Sequence, residues 1–225
     1  MKGVFDQKKW GIVSAELQAE NLKLASYDDT LIPLLSNLKG KKVLDYGAGP
    51  GVLALALKKL GADVKVYDVS EDMLKKSAEK IGKGNVYDKV SNIPKNSFDF
   101  VICNLVVCIV PENEVKKIVE DIQKLLKPEG IAYIGFCNPK ILNVQESRLD
   151  LRYNEGRYED NHTYRKIKKE GGYEISELHR PIEWYEKVYS SVGLKVVNKI
   201  FTPEYVLNGI KIEDFVIFKL KRNKR

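Results

Sequence analysis

The chain has 225 residues, 44% hydrophobic and 31% charged, which suits one large or two small globular domains and excludes a disordered or fibrous protein. Its formal charge of +7 is concentrated: Arg165-Lys166-Ile167-Lys168-Lys169 holds four cations, Lys219 to Arg225 holds five, and the body is nearly neutral. No apolar leader and no span near ~18 apolar residues occurs, which predicts a cytoplasmic protein.

Residues 13–38 have helical apolar spacing, with Tyr27-Asp28-Asp29-Thr30 predicting a break and an N-cap between two helices. Lys42–Tyr46 reads as a short strand ending in glycines, and Val52–Leu60 as the helix after it. Ala62–Asp68 is a second strand, and Glu71–Ile81 an amphipathic helix closed by Gly82. A short strand is expected within Asn85–Val90. Phe98–Val107 is almost wholly apolar, as a strand covered on both faces must be. Glu114–Lys127 forms a helix with one apolar stripe, and Ile131–Cys137 a fifth strand. Strands separated by helices of this length predict a doubly wound α/β fold with a mainly parallel, seven-stranded sheet. Beyond Asn138 the rhythm stops. Pro181–Ser191 is then a helix, and Leu194–Phe201 with Asp214–Leu220 form an antiparallel terminal hairpin. The expected organisation is a single domain, 1–225, with N-terminal helices in 1–40 and an inserted cap over the active site in 139–180. A polar stretch that long inside a compact chain is usually functional.

Val43-Leu44-Asp45-Tyr46-Gly47-Ala48-Gly49-Pro50-Gly51 runs from strand through a glycine turn into a helix, where backbone can approach a ligand. Asp68 ends the second strand, where a carboxylate can accept both hydroxyls of a ribose. The spacing GxGxG is not the dinucleotide GxGxxG, and Pro50 removes an N–H that a pyrophosphate would want. Nor is there a Gly-Lys-Ser/Thr phosphate loop. Asp45, an anion just before the turn, suits a ligand carrying an ammonium or sulfonium cation. The three cysteines, Cys103, Cys108 and Cys137, show no CxxC spacing and read as buried thiols. No metal set is expected.

VLDYGAGPG, YDVSEDML, SFDFVICNLVV and the helix ending LLKPEG before IAYIGF together resemble the class I S-adenosylmethionine-dependent methyltransferases. The resemblance implies S-adenosylmethionine as cofactor, with S-adenosylhomocysteine as product. It places Asp45, Gly47, Ala48, Gly49 and Gly51 along the methionine end and Asp68 on the ribose. Val69, Met73 and Asp88 would face the adenine, and Asn104 and Leu105 would floor the methyl group. Where many relatives carry a histidine after the fourth strand, this chain has Cys108.

Leu178-His179-Arg180-Pro181-Ile182-Glu183-Trp184-Tyr185 resembles the segment leading out of the cap in small-molecule methyltransferases. By that resemblance His179 is the candidate catalytic base. Tyr27, Arg148, Arg152, Tyr153, His162 and Tyr185 are candidate acceptor contacts. The expected function is methyl transfer to oxygen, nitrogen or carbon of a small molecule by in-line displacement. Two alternatives stay open: an RNA methyltransferase using segment 165–169 and the basic tail, and a non-catalytic cofactor-binding protein.

Overall fold

The computed structural model describes residues 25–35, 37–169 and 172–223. Helix α1, Ala25–Leu31, is followed by β1 (Lys42–Tyr46), α2 (Val52–Lys59), β2 (Asp63–Tyr67) and α3 (Glu71–Ile81). Then come β3 (Val86–Tyr87), β4 (Phe98–Asn104), α4 (Glu112–Leu125) and β5 (Leu126–Cys137). Strands β6 (Asp150–Tyr153), β7 (His162–Lys168) and β8 (Glu174–His179) lead to α5 (Ile182–Ser191) and β9 (Leu194–Phe201). A small hairpin of β10 (Tyr205–Leu207) and β11 (Ile210–Ile212) precedes the last strand, β12 (Phe215–Arg222).

Seven strands form one sheet in the order β3-β2-β1-β4-β5-β12-β9, parallel from β3 to β5, with β12 antiparallel to both of its neighbours. This is a Rossmann-like, doubly wound sheet, as the alternation of strands and helices implies. Each face carries its own core. Tyr27 and Leu31 of α1, Leu53 and Leu57 of α2 and Ile81 of α3 cover one face. Val115, Val119 and Ile122 of α4 with Tyr185 and Tyr189 of α5 cover the other. Strand β4 is squeezed between them, so Val101, Ile102 and Cys103 are fully buried. The stops follow ordinary rules. Ser70 caps α3 by accepting from the Met73 N–H, and Gly82 ends it at φ 97°. No helix among the described residues is long and apolar enough to cross a membrane.

Three expectations change. Residues 27–30 do not break the N-terminal segment, because α1 runs straight through them; the break comes at Ile32–Leu34, where Pro33 tightens the chain into a 3-10 turn. The part of the N-terminal helices placed in 1–24 lies outside the described residues. The cap is not irregular: β6, β7 and β8 form a separate three-stranded antiparallel sheet. The basic tail is a sheet strand as far as Arg222, whose guanidinium donates to the Gln123 carbonyl near the end of α4 and to Asn96.

Candidate active site

All five parallel strands point their C-terminal ends at one cavity of about 800 Å³. Ligands in open α/β sheets bind at that edge, where the order reverses between β1 and β4. The loop after β1 needs its glycines. Gly47, Gly49 and Gly51 all have left-handed φ, at 75°, 54° and 75°. A Cβ on Gly47 would lie 2.4 Å from Val106, and one on Gly51 would strike Ser77 of α3. Gly49 faces nothing within 4 Å, so its surface is open to a ligand. The turn is tied down by Gly47 and Ala48 N–H groups donating to the Tyr67 carbonyl at 2.7 and 3.1 Å.

Asp68 fixes the second wall. Its Oδ2 accepts from Gly49 N–H at 2.8 Å and its Oδ1 from Ser70 N–H at 2.9 Å, which leaves lone pairs on both oxygens for a ligand. Burial pushes its pKa up, and these backbone donors pull against that rise. Asp45 is more exceptional. It is buried, lines the cavity, and among the described residues its Oδ2 has no hydrogen-bond partner. Burial, and then the nearby charges of Asp28 and Asp68, raise its pKa to about 7. An orphaned buried carboxylate is costly unless something cationic completes it. A bound ammonium would do so, and a phosphate would be repelled.

At the end of β4 the chain turns on Leu105, a non-glycine residue at φ 57° whose N–H donates to the Gly135 carbonyl. Tyr27 of α1 reaches over the sheet and donates its phenol to Asn104 Oδ1. It fits because residue 135 is glycine: a Cβ there would collide with the phenol oxygen. Asn104, Leu105 and Tyr27 therefore share one corner of the cavity, with Val69, Met73 and exposed Asp88 along the opposite side. Gly51 is not on the cavity wall; it lets α2 and α3 approach each other.

The cap residues fall differently from expectation. His179 does not face the cavity. Its Nε2 is 2.8 Å from the Tyr158 carbonyl, its ring stacks on His162 with centroids 4.9 Å apart, and burial lowers its pKa. The imidazole is a packing element away from the cavity wall, so the base assignment is withdrawn. His162 is held by Asn154 and the Asp160 carbonyl. Arg148 lies over the Tyr205 ring, and Tyr153 under Arg165 on the outer surface. Arg152 is buried between Asp150 and Asp214, and Tyr185 is core, stacked on Phe136. None of these five lines the cavity; of the proposed acceptor contacts only Tyr27 does. Lys166, Lys168, Tyr173, Ile175 and Glu177 of the cap line it instead. Period-2 spacing would have exposed Lys166 and Lys168 as one face of a strand, had the segment been read as one. Arg180 has a further use: it donates to the carbonyls of Val107 and Val110, and so clamps the loop after β4.

Fold and glycine–carboxylate site together resemble a class I S-adenosylmethionine-dependent methyltransferase domain, and the residues present fit that cofactor. Residues 44–134 match the family described as "Methyltransferase domain". The ribosomal protein L11 methyltransferase of Vibrio cholerae is 30% identical over 117 residues, 51% of this chain and 40% of that protein. A ubiquinone biosynthesis O-methyltransferase of Actinobacillus pleuropneumoniae is 32% identical over 115 residues, 46% of this chain and 48% of that protein. The chain thus spans under half the length of these curated relatives. A crystal structure of an S-adenosylmethionine-dependent methyltransferase from Clostridium acetobutylicum superposes with a TM-score of 0.65 at 18% identity, over 96% of this chain and 99% of that one.

Proposed function

We propose that this protein methylates a small molecule held between the strand ends and the cap. The observation that carries this reading is the cavity itself. Its ~800 Å³ falls within the range of about 300–1,000 Å³ common to small-ligand sites, and cap strands β7 and β8 supply part of its wall. When bound, the cofactor supplies a methyl group already activated on a sulfonium. The protein's own task is therefore alignment, which can contribute roughly 7–11 kcal/mol. In this reading Asp45 holds the amino end of the cofactor, Asp68 holds its ribose, and the open face of Gly49 lies between them. Val69 and Met73 pack on the adenine beside Asp88. Tyr27 and Asn104 stand at the transfer corner, and the cap excludes water.

Two observations weigh against an RNA footprint. Within 165–169, Lys166 is fully buried, Arg165 is paired with Glu174, and Lys169 is paired with Glu146. The other basic stretch lies at the far end of the sheet. Lys221 pairs with Ile131 at the start of the regular part of β5, whereas Phe215 pairs with Cys137 at the cavity. Six residues of strand separate the two by roughly 20 Å.

The test uses S-adenosylmethionine labelled in its methyl group and a cell extract split into small-molecule, RNA and protein fractions. Label in the small-molecule fraction is the expected result. Label in RNA or protein would overturn the acceptor class. Thermal unfolding with S-adenosylhomocysteine runs beside it, where ligand at 100 times its Kd should stabilise by about 2.7 kcal/mol. A shift without transfer to any fraction would identify a non-catalytic binder.

A further inference from the structure

We propose that the acceptor carries an oxyanion, a carboxylate or phosphate, that binds Lys168 at the roof of the cavity; this rests on the small-molecule reading above. The inner face of the cap sheet is a layer of charges. Strand β7 turns Tyr164, Lys166 and Lys168 inward, β8 turns Glu177, and β6 turns Asp150 and Arg152.

Most of this layer is ion-paired internally. Lys166 is fully buried and touches Glu177, Asp150 Oδ2 at 3.3 Å and Cys137 Sγ at 3.0 Å, which occupies its three donors. Glu177 also accepts from the Tyr164 phenol at 2.6 Å. Arg152 sits between Asp150 at 3.4 Å and Asp214 at 3.9 Å.

Lys168 differs. It lines the cavity, its side chain keeps 12% exposure, and its ion pair is with Asp150 Oδ1 at 2.8 Å. That same carboxylate also serves Lys166 and Arg152, so one anion is shared by three cations. An ammonium has three N–H donors, and Asp150 takes one. Lys166, Lys168 and Arg152 are offset by Asp150 and Glu177 of the cap and by Asp214. The rest of the wall adds six carboxylates, Asp28, Asp45, Asp68, Asp88, Glu114 and Asp121, and two cations, Lys89 and Lys117. A cation largely removed from water, sharing its carboxylate with two other cations, keeps N–H donors for an anion that enters the cavity. The buried pairs behind it hold it in place, as a preformed site requires.

The experiment again follows labelled methyl, now into the small-molecule extract resolved on an anion-exchange resin at pH 7. The labelled product should be retained and released by salt. Prior phosphatase treatment separates the sources: a phosphate ester loses its retention, a carboxylate keeps it. With the isolated acceptor, Lys168→Gln should raise its KM by tenfold or more while the KM for S-adenosylmethionine stays unchanged. Lys168→Arg should recover most of the loss, and Lys169→Gln, on the outer face, should behave as wild type. A labelled product in the unretained fraction overturns the proposal. So does a Lys168→Gln enzyme with wild-type acceptor KM. Absence of any labelled small molecule despite a normal S-adenosylhomocysteine shift fells the small-molecule reading itself, and this inference with it.

Discussion

The floor of the cavity is made of strand ends and glycine turns, where backbone N–H groups and two carboxylates are placed by the parallel sheet. Its roof is an antiparallel sheet whose inner face is lysine, arginine, aspartate and glutamate neutralising one another. In the floor Asp45 Oδ2 is buried and has no hydrogen-bond partner among the described residues. In the roof the charges pair with one another and Asp150 serves three cations, although Asp150 Oδ1 and Arg152 Nη1 have no hydrogen-bond partner among the described residues. The difference teaches where ligand energy is stored. A floor that stays incomplete binds one fixed cofactor group strongly, whereas a roof of exchanged pairs can be re-tailored to another acceptor by altering a single partner, such as Lys168.

The largest effect should follow from cutting the floor at Asp68. Asp68→Ala removes the acceptor for Gly49 and Ser70 N–H as well as the proposed ribose contact. Charge-assisted hydrogen bonds contribute about 1.5–3 kcal/mol each, so affinity for S-adenosylhomocysteine should fall by about 100-fold or more. Isothermal titration measures it, and a loss below threefold would remove Asp68 from the site.

Next is the seam between floor and N-terminal helix. Gly135→Ala places a methyl where the Tyr27 phenol lies, so Tyr27 must leave Asn104 or β5 must shift. Overpacking of this kind costs about 1–3 kcal/mol, and urea denaturation should show it. The double variant Gly135→Ala with Tyr27→Phe should be no more stable than Gly135→Ala alone, because the ring still collides; Tyr27→Ala in its place should relieve the clash. Equal effects from both would show that Tyr27 is not what glycine accommodates.

A smaller and more diagnostic effect belongs to Asp45. With its pKa at about 7 in the free protein, the carboxylate that a cation needs is fully present only above that pH. Affinity for S-adenosylhomocysteine should be flat above pH 7 and weaken about tenfold per unit below it. Stability should run the other way. The folded pKa lies above the unfolded value of 3.8, so the free protein loses stability as pH rises from about 4 to about 7. Asp45→Asn should therefore raise the Tm of the free protein at pH 8, weaken the ligand by roughly tenfold through loss of a charged hydrogen bond, and abolish the pH dependence. A variant that still shows the pH slope would assign the titration elsewhere.

The floor was legible because its grammar is local. A continuous apolar run such as Phe100–Cys103 permits only a strand covered twice, and GAGPG with Asp68 seventeen residues on fixes both sides of one ligand. The roof was not legible, for a physical reason. Alternation in β7 sorts Tyr164, Lys166 and Lys168 to one side and Thr163, Arg165 and Ile167 to the other, so neither face is the more hydrophobic and the period-2 signal vanishes. What makes Lys166 a core residue is Cys137, Asp150 and Glu177, brought from three other strands. Pairing of that sort has no signature in a single stretch of sequence.

His179 shows the cost of carrying a role across by resemblance alone, and it sets the smallest expected effect. Next to Arg180 and Pro181, it occupies the position from which a base would be drawn, yet its hydrogen bond goes to Tyr158 and its ring to His162. The neighbouring Arg180 explains the motif better. Its guanidinium reaches the carbonyls of Val107 and Val110, while Leu178 N–H donates to the Cys108 carbonyl, so the segment ties roof to floor. In this arrangement the histidine is the spacer that brings Arg180 to the loop after β4. His179→Asn should leave the kcat for methyl transfer within about twofold and its pH profile unchanged, at a stability cost of about 1 kcal/mol from the lost ring contacts. A fall of a hundredfold in kcat with intact cofactor binding would restore it as a proton acceptor, since a merely structural histidine cannot change the chemistry without also changing the fold.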